Sequence, residues 1–174
     1  MHRALIVGCG RMGAGRDHVT SWLYDHASAY HAIADRVELI GFVDRVLARA
    51  EWAADKHKVV FAGDHVTGAL ELLKPDVVSI CTPPSDREEI IAACEAAPSV
   101  KGLWVEKPYT LSRIPMSHVL SWTIPTQVNY CRRFDPRHQE IAERRRATAP
   151  PADLFVIAAR DLHTVPHFTD LARF

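Results

Sequence analysis

The amino-acid sequence predicts an α/β fold built on a doubly wound parallel sheet. Two observations carry that expectation. Short apolar runs alternate with longer amphipathic stretches along most of the chain, as strands and crossover helices do when helices cover both faces of a sheet. The first apolar run also opens directly into a glycine-rich turn, where a strand hands over to a helix.

The elements follow in order. Arg3–Val7 reads as the first strand, entering the turn at Gly8. The stretch 16–36 is longer than a first crossover helix needs and carries Trp22, Tyr24, Tyr30 and several histidines; it reads as a helix with an inserted turn. Val37–Val43 is the second strand, ending at Asp44. In Arg45–Lys56, Val46, Ala50, Ala53 and Ala54 can share one helical face. Val59–Phe61 reads as a short third strand, and Val66–Leu73 as a helix stopped by Pro75. Val77–Cys81 is a strongly apolar fourth strand, halted by Pro83 and Pro84. Asp86–Ala97 is the next helix, and Leu103–Val105 a fifth strand running into Glu106-Lys107-Pro108. This succession is a Rossmann-type unit. Beyond it, Leu111–Trp122 reads as a helix interrupted at Pro115, Gln127–Cys131 as a sixth strand and Pro136–Arg146 as a helix whose arginines suit its dipole. Ala149-Pro150-Pro151 is the linker candidate, Leu154–Ala158 reads as a strand and Pro166–Phe174 as the start of a helix.

Composition narrows the function. The 174 residues are 48% hydrophobic and 24% charged, which is ordinary for a globular chain. Lys+Arg and Asp+Glu both number 21, so the chain lacks the cationic surplus expected of a dedicated nucleic-acid binder. No apolar run reaches the length of a membrane span or a signal-peptide core. Cys9, Cys81, Cys94 and Cys131 lie far apart without a C-x-x-C pair, and read as reduced cytoplasmic thiols.

The chemistry-bearing motifs gather at predicted strand ends. Gly8-Cys9-Gly10-Arg11-Met12-Gly13 matches G-x-G-x-x-G between a strand and a helix. The first glycine permits the tight turn, the second lets a pyrophosphate approach the backbone, and the third lets the helix pack on the strand. Amides around Arg11 and Met12 then offer donors to phosphates. Asp44 sits where a carboxylate accepts the hydroxyls of an adenine ribose, although further from Gly13 than the usual spacing of about 20 residues. A carboxylate there favours NAD, whereas Arg45 can receive the 2′-phosphate of NADP; an N-cap role for Asp44 is compatible with either. Thr82, Pro83 and Pro84 form a stiff loop beside the cofactor, or simply terminate the strand. Lys107 can relay a proton or polarise a carbonyl, or be an ordinary solvated lysine. His163, His167 and Asp170 can be read as metal ligands, but Pro166 at the start of a helix sets His163 off the face carrying His167. An acid/base role for His167 and ordinary packing are the other readings, and no metal is assigned.

The segments Ile6–Gly13, Gly41–Asp44, Pro75–Pro84, Val105–Pro108 and Val128–Pro136 together resemble the glucose–fructose oxidoreductase/inositol dehydrogenase (Gfo/Idh/MocA) family, and Leu162–Phe174 is similar to its histidine–aspartate motif before a Leu-rich helix. The resemblance implies a nicotinamide-dependent oxidoreductase, using NAD or NADP, that acts on a hydroxyl or keto group of a sugar, cyclitol, sugar acid or nucleotide sugar. It implies that Lys107 stands beside the reacting hydroxyl, that Glu106 flanks the cofactor, and that His167 is the acid/base histidine. His163 occupies the place where many members carry an aspartate, and Asp170 matches an acidic residue on the substrate side. Tyr130, Arg132 and Arg133 fall where the family strand begins to face substrate, and paired arginines can hold a carboxylate or phosphate. Members normally continue well past Phe174. The expected layout is therefore an NAD(P)-binding domain over residues 1–125 and the start of a truncated α+β substrate domain over 126–174, whose unfinished surface a second copy or a partner chain would cover. The alternatives are a non-catalytic dinucleotide- or sugar-binding protein, or a half-enzyme completed by another chain.

Overall fold

A computed structural model describes residues 1–16, 25–109, 122–137, 139–140 and 143–144. The chain divides into two compact units, Met1–Val128 and Asn129–Phe174. In the first, six strands form one parallel sheet: β1 (His2–Val7), β2 (Val37–Val43), β3 (Phe61–Gly63), β4 (Val77–Ile80), β5 (Gly102–Val105) and β6 (Thr126–Val128). Their spatial order is β3-β2-β1-β4-β5-β6. The order reverses between β1 and β4, so the crevice where doubly wound sheets bind ligands opens beyond their carboxyl ends.

Alternation along β1 divides the core. Ala4 and Ile6 pack towards α2 (His26–Ala32) and α3 (Leu47–His57), with Ala27, Tyr30, Phe42, Ala50, Ala53 and Ala54. Leu5 and Val7 face α4 (Val66–Leu73) and α5 (Arg87–Glu95), with Leu70, Val78, Ile80 and Ile91. Complete burial of side chains such as Phe42, Leu5 and Ile91 contributes roughly 1.5–3 kcal/mol each.

Several boundaries differ from the sequence expectations, each for a local reason. The third strand is Phe61–Gly63 rather than Val59–Phe61, because α3 ends in a Schellman turn: Lys58 takes left-handed φ (57°) and the Val59 amide donates to the Ala54 carbonyl. Helix α3 begins at Leu47, with Val46 rather than Asp44 as its N-cap. The helix after the glycine turn, α1, is only Arg11–Ala14, closed by Gly15 at φ 65°. The next begins at His26, capped by Asp25, whose carboxylate accepts from the Ser28 amide at 2.8 Å. The fourth strand ends at Ile80, and the helix expected over Asp86–Ala97 is α5 preceded by a 3-10 turn, Pro84–Asp86. The sixth strand ends at Val128 rather than Cys131, which instead opens a 3-10 turn, Cys131–Phe134, in the second unit. There, Asp135 starts a helix by accepting the Arg137 amide at 3.0 Å, with Pro136 at its first position. The expected helix Leu111–Trp122, except for Trp122 itself, lies outside the described residues, as do the linker, the strand Leu154–Ala158, the helix Pro166–Phe174, Trp22 and Tyr24.

Candidate functional site

Because β1, β2, β4 and β5 run in parallel, the four turns that follow them share one edge of the sheet. The first is the glycine turn. Gly8 has φ 97°, and a Cβ there would lie 2.8 Å from the Thr82 amide nitrogen. A Cβ on Gly13 would come 1.9 Å from the Gly8 carbonyl oxygen, so these two glycines hold α1 against β1 and β4. Gly10 differs: a Cβ there meets nothing within 4 Å. The first amides of α1, around Arg11 and Met12, have no intrahelical acceptor. Since α1 is one turn long, these amides rather than a long helix dipole are what it offers an anion.

Asp44 follows β2 and is only 7% exposed. Its Oδ2 accepts the Cys9 amide at 2.9 Å and its Oδ1 the Val46 amide at 2.9 Å. Each oxygen keeps a lone pair that can accept a hydroxyl. Beside it, Arg45 is exposed and lies 3.8 Å from Asp86.

Thr82 and Glu106-Lys107-Pro108 follow β4 and β5. The Thr82 hydroxyl oxygen is buried without a hydrogen-bond partner. Arg87, at the start of α5, joins the two turns: it donates to the Thr82 carbonyl through Nε (2.9 Å) and Nη2 (2.7 Å), and through Nη1 to the Glu106 and Pro108 carbonyls. Burial lowers the pKa of this guanidinium, against the opposing pull of the Glu106 charge. Pro83 is exposed, Pro84 and Lys107 are half-buried, and the Lys107–Pro108 peptide is cis.

Glu106 also faces inward. Its side chain contacts His26 (Oε1 to Nε2, 3.2 Å), His26 Nδ1 contacts the Ser79 hydroxyl at 3.0 Å, and that hydroxyl meets the Tyr30 phenol at 2.8 Å. The His26 ring lies 3.7 Å, centroid to centroid, from Trp104. Burial pushes the Tyr30 phenol up to about 12. Burial, then the neighbouring Asp44 charge, pushes the Cys9 thiol up to about 12, and burial does the same to Cys94; Cys81 is raised well above its ordinary value. All four cysteines are free, and only Cys131 is exposed.

The structure thus brings together Gly8, Gly10, Arg11, Met12, Gly13, Asp44, Arg45, Thr82, Pro83, Pro84, Glu106 and Lys107 on one edge. Within the second unit, the Arg133 guanidinium lies 5.7 Å over the Tyr130 ring. The Arg132 side chain, His163, His167 and Asp170 lie outside what is described. Sequence reasoning missed His26, Ser79 and Arg87. Ser79, the one polar residue in Val77–Ile80, was a visible signal, as was the i, i+4 spacing of His26 and Tyr30; nothing in the sequence marked Arg87. Among the described residues, no group of three His, Cys, Asp or Glu is placed to hold a metal, and no helix is long and apolar enough to cross a membrane.

A dinucleotide fits this edge. Open space over Gly10 admits a pyrophosphate, Asp44 can accept ribose hydroxyls, and the unpartnered Thr82 hydroxyl has a bond to give.

Comparison with known proteins agrees with that chemistry. Residues 2–120 match the GFO_IDH_MocA family, described as an oxidoreductase family with an NAD-binding Rossmann fold. No curated protein matches the chain. Among solved structures, the chain is similar to scyllo-inositol dehydrogenase from Lactobacillus casei with bound NAD(H) and scyllo-inositol (20% identity, TM-score 0.63, covering 83% of this chain and 42% of that one). It is similar to an NAD binding oxidoreductase from Klebsiella pneumoniae (22%, TM-score 0.67, covering 83% and 39%). It is also similar to the WlbA dehydrogenase from Chromobacterium violaceum in complex with NADH and UDP-GlcNAcA (21%, TM-score 0.65, covering 83% and 39%). The chain therefore spans about two fifths of the length of these relatives.

Proposed function

The chain belongs to the GFO_IDH_MocA oxidoreductase family, and from that premise we propose that it is an NAD(P)-dependent dehydrogenase or reductase acting on a CH–OH or keto group of a sugar, cyclitol, sugar acid or nucleotide sugar. One observation carries the reading: the glycine turn is closed at Gly8 and Gly13 but open over Gly10, with a buried carboxylate, Asp44, at the end of the adjoining strand.

When bound, the nicotinamide supplies the hydride acceptor or donor. The chain's residues do the rest. The amides at the start of α1 bind phosphate oxygens, and Asp44 accepts the adenine-ribose hydroxyls while keeping its bonds to Cys9 and Val46. Its negative charge disfavours a 2′-phosphate, so NAD is preferred, with Arg45 the residue able to soften that preference. The Thr82 hydroxyl donates to the cofactor half of the site. Lys107 Nζ takes the hydroxyl proton during oxidation and returns it during reduction; in the second unit, the family resemblance gives His167 an acid/base role and Asp170 a substrate-side one, with His163 at the position where many members carry an aspartate. Tyr130, Arg132 and Arg133 hold the polar end of the substrate.

The test is a titration of the purified protein with NADH and NADPH, followed by tryptophan fluorescence. Saturable binding with NADH the tighter ligand is expected, and Asp44→Ala removes the preference. Failure of both nucleotides to bind overturns the reading.

A further inference from the structure

Four polar groups buried between α2 and the sheet have no part in the steps above: Tyr30 (5% exposed), Ser79 (0%), His26 (1%) and the Glu106 carboxylate (Glu106 4%). Their contacts form an unbroken line of 2.8, 3.0 and 3.2 Å. An ionised carboxylate only accepts, so His26 Nε2 donates to Glu106. The His26 Nδ1, the Ser79 hydroxyl and the Tyr30 phenol complete the line, so each of these buried polar groups has a hydrogen-bond partner. Such a line is not explained by stability alone, because a buried polar pair is often no more stabilising than apolar residues of the same volume. Its geometry is specific instead. His26 and Tyr30 stand one turn apart on α2, and Trp104 and Glu106 fall on the same face of β5 and its extension. The His26 ring thus stacks on Trp104 while reaching Glu106.

The line ends at the residue immediately before Lys107. From the opposite face, Arg87 grips the carbonyls of Glu106 and Pro108, which flank that lysine. The turn is therefore held by its side chain from the α2 face and by its backbone from the α5 face.

We propose that His26 is a positioning residue for Lys107: by anchoring the Glu106 carboxylate to Ser79 and Trp104, it sets the conformation in which the Glu106-Lys107-Pro108 turn presents the lysine amine. This deepens the reading above, since it rests on Lys107 being the proton-handling group.

The experiment uses the full chain labelled with 13C-lysine. There are five lysines, Lys56, Lys58, Lys74, Lys101 and Lys107, and Lys107→Arg assigns the signal of interest. In His26→Leu the Lys107 Cε signal is expected to leave its wild-type position while the other four stay in place. His26→Gln, which retains a donor towards Glu106, is expected to restore it. A Lys107 signal that stays in place in a folded His26→Leu protein overturns the proposal, as does equal displacement of all five signals. If His26→Leu does not fold, Ser79→Ala is read by the same two criteria, since it loosens His26 without touching Glu106 or Lys107. NADH titration of the same samples keeps the two readings apart: loss of nucleotide binding in the wild type sinks the dehydrogenase, whereas an unmoved Lys107 sinks only the role of His26.

Discussion

A single methyl group separates the duties of two glycines in the same turn. In Gly13→Ala the new Cβ lands 1.9 Å from a backbone carbonyl oxygen that has no flexible side chain to swing aside. The expected cost is about 3 kcal/mol or more of folding stability, seen as a lowered urea midpoint. In Gly10→Ala the backbone (φ −83°, ψ −157°) suits alanine and the Cβ meets nothing. Stability is expected to stay within about 0.5 kcal/mol of wild type. The NADH Kd is nonetheless expected to rise at least tenfold, about 1.4 kcal/mol, because the methyl occupies the space left for the pyrophosphate. Equal effects of the two substitutions on stability would refute this division of labour. The glycine pattern was readable residue by residue, since each position has its own steric requirement. Asp44 was placed correctly at the end of β2, but its hold on the Cys9 and Val46 amides was not legible, because both bonds depend on how the turn folds back on the strand.

At the scale of elements, the last turn of α3 holds the end of α1. Lys56 Nζ donates to the Ala14 and Gly15 carbonyls at 2.8 and 2.9 Å, and His57 Nε2 donates to the Ala14 carbonyl at 3.0 Å. His57 also stacks on His31, its Nδ1 3.2 Å from the His31 Nε2. Burial lowers the His57 pKa below its ordinary 6.5, with the Ala14 carbonyl and Asp25 pulling it back up and Lys56 and His31 pushing it further down. The sign follows directly: the unfolded chain takes up this proton at a higher pH than the fold does. Stability from His57 is thus complete above 6.5 and declines as pH falls towards the folded value. Thermal midpoints measured from pH 7 down to about 5.5 are expected to fall, and His57→Gln, which keeps a donor for Ala14, is expected to flatten that limb. An unchanged slope would refute the assignment. Elements were legible where the apolar pattern is regular and a neighbouring residue stops it, as in Val37–Val43 before Asp44 and Val66–Leu73 before Pro75, whose bounds match the sequence reading. They were misplaced where backbone hydrogen bonds decide, as at Val59, whose apolar side chain suggests a strand while its amide closes α3. His26 was missed because its partners, Ser79 and Glu106, lie 53 and 80 positions away.

Across the whole first unit, the candidate cofactor edge is assembled from turns spread between Gly8 and Pro108, so a bound dinucleotide would clamp segments that separate on unfolding. NADH at a hundred times its Kd is expected to stabilise the fold by about 2.7 kcal/mol. For a chain of this size that is ~5–10 °C in thermal midpoint. A midpoint insensitive to saturating NADH would contradict the clamp. The overall architecture was legible because a parallel sheet imposes regular spacing on long stretches of sequence, whereas the second unit offers shorter, less periodic runs.

The cysteines give this molecule a practical asymmetry. With the Cys9 and Cys94 thiols near 12, only about one in 10⁵ of each is thiolate at neutral pH, and Cys81 is likewise suppressed. Cys131 is exposed in the 3-10 turn of the second unit. A maleimide dye at pH 7 is therefore expected to attach once per chain, at Cys131, with intact mass showing a single adduct that Cys131→Ser abolishes. The native sequence so carries its own attachment point for a fluorophore, outside the unit that would hold the nucleotide, and the protein can be labelled there without engineering a single residue.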